Sequence, residues 1–134
     1  MSLNIIIFSS MILISMLDLF IIGTRGAYVS RTFIDLPLTL VKSCVATYEY
    51  EDETYAYFDK PIFEEEVIHY LNTNLKDEVD IYKISFFYYK MVENEYQYDL
   101  SNEPKNVQLH FNCNFYKTFE VNKYLTFEIE KIWG

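Results

Sequence analysis

The chain has 134 residues, enough for one small domain in addition to an N-terminal apolar segment. It contains 13 Tyr and 11 Phe but only three Gly and three Pro, a composition that excludes a disordered chain. Acidic residues outnumber basic ones by 20 to 11, and the net charge of −9 argues against nucleic-acid binding, which needs a basic face.

Residues 4–22 form an apolar segment that is interrupted only by three serines and Asp18. About nineteen residues is the length with which a helix crosses roughly 30 Å of hydrocarbon. We therefore expect a transmembrane helix within residues 1–26 that contacts the lipid bilayer through residues 4–22. The alternative is a signal peptide cleaved near Gly26, although the basic residues that usually begin such a peptide are missing from residues 1–4.

The orientation of this helix is only weakly indicated by charge. Arg25 and Arg31 are the nearest cations and both follow the span. The positive-inside rule, taken literally, would leave the acidic domain in the cytoplasm, but a bias of two residues is a weak signal.

Asp18 is a carboxylate inside the apolar span, about one turn before its end. Such a group costs about 2.5–3.5 kcal/mol at the centre of a membrane helix, and less toward the end, so it is usually paired or functional. Two interpretations stay open. Asp18 either reaches the headgroup region or contacts a polar group on a neighbouring transmembrane helix in an assembly.

The helical pattern continues beyond the span to about residue 50. Apolar residues recur at spacings of three and four at Phe33, Leu36, Leu40, Val41, Cys44, Val45 and Tyr48. Pro37 lies within this stretch and predicts a kink near residues 34–37. The acidic residues 48–54 then predict the helix end and a solvated loop. This loop lacks the ligand spacing of a calcium site, so we expect no metal there.

A second helix is predicted at residues 61–75. Asp59 is a suitable cap, Pro61 is tolerated in the first turn, and an apolar stripe follows at Phe63, Val67, Ile68, Leu71 and Leu75. His69 falls among these residues, and a lone histidine on a packed helix is far more often structural than catalytic.

From residue 80 the apolar period changes to two, which predicts strands at 81–90, 95–100, 107–115 and 124–133. The first two form a hairpin, and residues 117–123 connect the last two. In 107–115 the alternation is complete: Val107, Leu109, Phe111, Cys113 and Phe115 face inward, and Gln108, His110, Asn112 and Asn114 face outward. In the last strand Leu125, Phe127 and Ile129 face inward.

This order predicts an α+β fold: residues 1–26 cross the membrane, and in residues 27–134 the helices pack on one face of an antiparallel sheet of about four strands. Cys44 lies on the stripe of the long helix and Cys113 on the inner face of its strand. The pair either forms a disulfide that ties helix to sheet or remains two buried thiols.

No catalytic pattern is present, and we expect neither an enzyme nor a cofactor. The sequence lacks a Gly-rich phosphate loop, a zinc-protease motif, a Cys-x-x-Cys pair and a nucleophile elbow. The Tyr-rich strands have the chemistry of a platform for nucleobases or sugars, but the negative charge argues against the nucleic-acid version.

The arrangement resembles the TadE/TadG-like minor pilins of tight-adherence pili. The resemblance is carried by LDLFIIGTRGAY at 17–28, FEEEVIHYLNTNL at 63–75, and the strands VQLHFNCNF and YLTFEIEKI near the C-terminus. It implies a non-enzymatic single-pass membrane protein with its domain outside the cytoplasmic membrane. Its implied partners are other pilin-like subunits and the membrane assembly machinery, and Asp18 would match the acidic residue near the end of the family's hydrophobic helix.

Two further functions belong to other classes. Cleavage near Gly26 would release a small secreted or cell-surface binding domain that holds a partner on an aromatic face. An uncleaved chain is also compatible with an accessory subunit of a membrane complex that never leaves the bilayer.

Overall fold

The computed structural model describes residues 2–75, 79, 81–115 and 119–132. In chain order the elements are α1 (Leu3–Ile34), α2 (Leu38–Ser43), β1 (Val45–Tyr50), β2 (Glu53–Phe58), α3 (Lys60–Leu75), β3 (Tyr82–Val92), β4 (Glu95–Tyr98), β5 (Asn106–Phe115), β6 (Phe119–Glu128) and α4 (Ile129–Ile132). The predicted α+β class is confirmed, with a long apolar helix preceding a small domain of helices and antiparallel sheets.

The first helix ends at Ile34 and does not run to residue 50. Asp35 N–H donates to the carbonyl of Arg31 at 2.8 Å, and Leu36 N–H donates to that of Phe33 at 3.2 Å, which closes the last turn. Pro37 follows as the N-cap residue of the short helix α2. Because proline has no N–H and disfavours helical backbone at the residue before it, the predicted kink is a complete break.

A β-hairpin occupies the stretch that was predicted as a helix end and a loop. Strands β1 and β2 pair antiparallel from Val45 opposite Phe58 to Tyr50 opposite Glu53. The turn consists of Glu51 and Asp52, whose φ angles are 51° and 64°. Positive φ at both central residues is typical of a type I′ turn, whose twist matches that of the paired strands. The helical interpretation was wrong because apolar residues spaced by three or four are not unique to helices. Residues four apart also share one face of a strand, and β-branched and aromatic residues favour strands.

Helix α3 confirms the predicted helix at 61–75. The Asp59 carbonyl accepts the Phe63 N–H at 2.8 Å, and its carboxylate accepts the Ile62 N–H at 3.4 Å, as expected for a cap. The predicted stripe of Phe63, Val67, Leu71 and Leu75 is buried, whereas Ile68 and His69 are exposed. His69 therefore has no role in the core.

The four-stranded sheet has the order β4-β3-β5-β6 and every pair is antiparallel. Strand β3 runs two residues further than predicted, to a turn at Glu93 and Asn94 with φ angles of 53° and 66°. The last strand is shifted: it covers Phe119–Glu128 instead of 124–133. Its pairing with β5 begins at Phe119, inside the predicted connection of residues 117–123, and the chain after Glu128 turns into α4. Residues 116–118 and 133 lie outside the described part of the chain.

The two faces of the sheet differ as the alternation in β5 predicts. Val107, Leu109, Phe111 and Cys113 are buried, whereas Gln108, His110, Asn112 and Asn114 lie on the other face and are at least partly exposed. The Phe115 side chain lies outside the described part. On the inner face the Phe33 ring stacks on Phe111 with 5.0 Å between centroids, and Phe63 of α3 meets Phe86 edge-on at 5.7 Å. The ends of two helices thus cover one side of the sheet.

Replacing Phe33 with Ala should lower the free energy of unfolding by about 3–5 kcal/mol, because it removes a fully buried ring and leaves a cavity against Phe111. The neighbouring Ile34 is 48% exposed, so Ile34→Ala should cost about 1 kcal/mol or less. Urea unfolding of the full chain in detergent micelles, followed by circular dichroism of the sheet, measures both. Equal shifts for the two variants would contradict this account of the core.

Candidate functional site

The N-terminal two thirds of α1 project from the domain without covering. An 18-residue window near the N-terminus has a mean hydropathy of 2.6, and none of it is buried. By length and composition this helix is able to cross a membrane. Exposing its Ile, Leu, Met and Phe side chains to water would cost about 25 cal/mol of free energy for each Å² of apolar surface. An aqueous environment is therefore unfavourable for this part of the helix.

The boundary between the bare and the covered part of α1 lies at Gly26. No residue from Ser2 to Arg25 is buried, whereas Gly26, Val29 and Phe33 are. The helix is continuous across this boundary. The 23 residues from Leu3 to Arg25 correspond to a helix of about 35 Å, which is long enough to cross the roughly 30 Å of hydrocarbon in a bilayer.

Most of the hydroxyl groups on this helix are satisfied by the helix itself. Ser10, Ser15 and Thr24 donate to the carbonyls of the residues four positions earlier, at 2.8–3.0 Å. The Asp18 carboxylate is exposed and has no hydrogen bond or ion pair within the described part of the chain. In a bilayer such a group needs a partner from outside the subunit or must reach the headgroups.

Asp18 lies on the same face of α1 as the residues that the domain buries. Eleven residues separate it from Val29, and eleven residues make about three helical turns. Met11, Ser15 and Ile22 fall on the same stripe, one to two turns away from Asp18. The buried face of the helix therefore continues below the domain as an uncovered stripe, and Asp18 is its charged member.

Two tyrosine hydroxyls hold α1 to the rest of the domain where it emerges. Tyr70 of α3 donates to the carbonyl of Thr32 at 2.9 Å, and Tyr28 of α1 donates to that of Asn74 at 3.4 Å. Burial raises the pKa of Tyr70, so its hydroxyl stays protonated as a donor at neutral pH. The helix thus leaves the domain in a fixed direction.

No protein-family model, curated protein or solved structure matches this chain.

The two cysteines are free, buried thiols and lie toward opposite ends of β3. Cys44 is close enough to Tyr88 to contribute to the raised pKa of that tyrosine, whereas Cys113 pairs with Tyr82 in the sheet. Six residues of strand span about 20 Å, and a disulfide needs α-carbons within about 7 Å. Of the two alternatives that the sequence left open, the geometry therefore favours two separate buried thiols.

Within the described residues, no group of three or more His, Cys, Asp or Glu side chains is arranged to hold a metal ion.

The sequence did not predict one feature of the outer face of the sheet. A cleft of about 280 Å³ lies there, lined by Phe87, Tyr89, Tyr96, Gln108, Thr126 and Glu128. The period-two pattern placed several of these residues on one face, but only the strand register brings them together.

Both thiols should remain reduced and react slowly. Burial raises the pKa of Cys44 and of Cys113, so each is protonated at neutral pH and shielded from reagents. Iodoacetamide followed by mass spectrometry should modify neither in the folded chain and both in urea, while Thr73→Cys, on the exposed side of α3, should react at once. A non-reducing peptide map that contains a Cys44–Cys113 peptide would contradict this.

Proposed function

We propose that this chain is a non-enzymatic, membrane-anchored, pilin-like subunit. Its helix α1 spans the bilayer and associates there with the helices of neighbouring subunits, so that the protein is assembled into, or primes, a surface filament. The small α+β domain stands outside the cytoplasmic membrane. The single observation that supports this most is the uninterrupted helix from Leu3 to Ile34, which is bare up to Arg25 and packed into the sheet domain from Gly26 onward.

The uncovered stripe below the domain supports association between helices. Asp18 has no partner among the residues that the structure describes, and it lies on the stripe that includes Ser15 and Ile22. A polar group of a neighbouring helix that faces this stripe would satisfy the carboxylate in the bilayer, where interhelical hydrogen bonds contribute about 0.6–2 kcal/mol each. We therefore assign Asp18 the role of an assembly contact.

The resemblance to TadE/TadG-like minor pilins supports the same proposal from the sequence. It rests on the acidic residue near the end of the span and on the order of anchor helix, short helix and terminal strands. The orientation with the domain outside the cytoplasmic membrane depends on this resemblance alone, since Arg25 and Arg31 favour the opposite side.

The association predicts which positions of α1 approach one another in the membrane. Ser15→Cys places a thiol on the stripe of Asp18, whereas Leu13→Cys places one on the opposite face of the helix. Oxidation of native membranes should yield a disulfide-linked dimer for Ser15→Cys and little for Leu13→Cys, visible on a non-reducing gel. Similar yields for the two positions would argue against an interface on this stripe.

The same cross-link reports the role of Asp18. Adding Asp18→Asn to Ser15→Cys should lower the dimer yield at least about threefold, because the amide loses the charge that attracts the partner group. Asp52→Asn, at the tip of the β1–β2 hairpin, is the matched control and should leave the yield unchanged. An undiminished yield in the Asp18 variant would remove this residue from the proposed contact.

The alternative is a small binding domain released by cleavage near Gly26. Gly26 is buried and lies inside the continuous helix, which favours the anchored protein because cleavage there would cut a packed element. The intact mass of the native protein should correspond to a chain that retains residues 4–22. A mature chain that begins near Ala27 would contradict the membrane anchor.

The side of the membrane on which the domain lies is tested by labelling Thr73→Cys with an impermeant maleimide on intact cells. We expect this thiol to be labelled, as for a domain outside the membrane; protection of the thiol would place the domain inside.

A further inference from the structure

The outer face of the sheet carries a cleft that the proposed association of α1 does not use. Two rows of side chains cross the strands there. Phe87, Gln108 and Thr126 are successive partners across β3, β5 and β6, and Asn106 pairs with Glu128 in the adjacent row, next to Tyr89. Tyr96 of β4 closes one side. The cleft between these groups measures about 280 Å³.

One side of the cleft is aromatic. Tyr89 is stacked against Phe87 with 5.8 Å between ring centroids, and Tyr96 meets Tyr89 edge-on at 5.4 Å. Tyr98 supports this wall from behind by an edge contact with Phe87 at 4.5 Å. Tyr89 is buried, whereas Tyr96 is 69% exposed. The wall therefore has a fixed base and an accessible rim.

The other side offers hydrogen-bonding groups that are already oriented. The Tyr89 hydroxyl donates to Glu128 Oε1 at 3.0 Å, and Lys131 Nζ lies 3.2 Å from Glu128 Oε2. These two partners lower the pKa of Glu128, and burial together with the hydrogen bond to Glu128 raises the pKa of Tyr89 to about 12. The carboxylate is thus an anchored acceptor with spare lone pairs.

Gln108 and Thr126 complete this polar side. The Gln108 amide approaches the Thr126 hydroxyl at 3.5 Å, the outer limit of a hydrogen bond, so both groups keep donors and acceptors for a ligand.

Charge restricts the ligand to a neutral molecule. A phosphate or carboxylate would meet Glu128 and a chain of net charge −9. An ammonium ligand would suit aromatic rings, but Lys131 is already paired with the carboxylate that would attract it. The ligand that fits is a ring with apolar C–H faces and hydroxyl groups at its edge. The aromatic wall of the cleft can stack on such a face, and the polar wall can donate and accept hydrogen bonds.

We propose that this cleft binds one pyranose ring of a neutral glycan. The volume is just below the range of about 300–1,000 Å³ that is usual for small-molecule sites, which fits a single sugar unit, and the open cleft leaves the neighbouring units of a chain in solvent. One ring that makes a few contacts binds with a dissociation constant on the order of millimolar. The inference concerns the domain alone and does not depend on how α1 associates.

Saturation-transfer NMR of the full chain tests this proposal with methyl glycosides of glucose, galactose, mannose and N-acetylglucosamine. The micelles should be of a polyoxyethylene detergent, because glucoside and maltoside detergents would themselves compete for the cleft. We expect saturable transfer to the ring protons of at least one glycoside. Tyr96→Ala should weaken its binding at least about fivefold, and Tyr96→Phe should retain it, since the ring supplies the contact.

The matched control is Tyr50→Ala, which removes an exposed tyrosine from the β1–β2 hairpin and should leave binding unchanged. Far-UV circular dichroism checks that each variant is folded. Failure of all four glycosides to give saturable transfer overturns the proposal, as does an equal loss in the Tyr96 and Tyr50 alanine variants. Tighter binding of choline or of uridine than of any glycoside also overturns it, since the cleft would then select a cation or a nucleobase.

Discussion

The stacking of Phe33 on Phe111 is the contact on which the rest of the structure depends. Phe33 lies on the last turn of α1 and Phe111 at the middle of β5, and both are fully buried. Through this pair, and through Val29 near the start of the covered part of α1, the long apolar helix becomes part of the core of the domain. The apolar helix and the domain are therefore one folded unit and are not two parts joined by a linker.

The packing of Val29 and Phe33 also determines the orientation of the bare part of α1. Because Val29 and Phe33 are fixed against the sheet, the rotation of the whole helix about its axis is fixed as well. The stripe that contains Asp18 must then point to the same side as the domain, and the helix cannot turn to bring the carboxylate elsewhere. A polar group held in this way has a defined direction of approach for its partner, which a helix on a flexible tether would lack.

Much of the fold follows from the period of the apolar residues. Helix α3 and the inner face of β5 were predictable because each buries one regular stripe, with Phe63 to Leu75 at helical spacing and Val107 to Cys113 in alternation. The β1–β2 hairpin was not, because its turn at Glu51 and Asp52 contains neither Gly nor Asn, the residues that usually signal positive φ. The position of β6 was missed for a related reason: pairing with β5 outweighs the local preference of a polar segment.

The residues of the two proposed sites were predictable to different degrees. A carboxylate in an apolar run is visible in the sequence, so Asp18 was found at once. Its position on the buried stripe required the end of α1 and the packing of Val29. The cleft required more, because Tyr89 and Glu128 are 39 residues apart and meet only through the register of three strands. The sequence left open whether Cys44 and Cys113 form a disulfide because both lie on apolar stripes. The structure has them as free thiols, and a core of this size separates them by most of a strand.

The two faces of the sheet are compatible with both proposed roles, membrane anchoring and glycan binding. Helices α1 and α3 cover the inner face, so the outer face with Tyr96 and Glu128 points away from the long apolar helix. A neighbouring helix that meets Asp18 would lie below the domain, on its inner side, and would leave the outer face in solvent. If the rotation of α1 is fixed by Phe33, then each subunit of an assembly presents its outer face in the same direction relative to its own helix. Weak single-ring sites repeated in this way would act together, because a polymeric ligand held at one site has an effective concentration at the next site that can exceed the dissociation constant of that site.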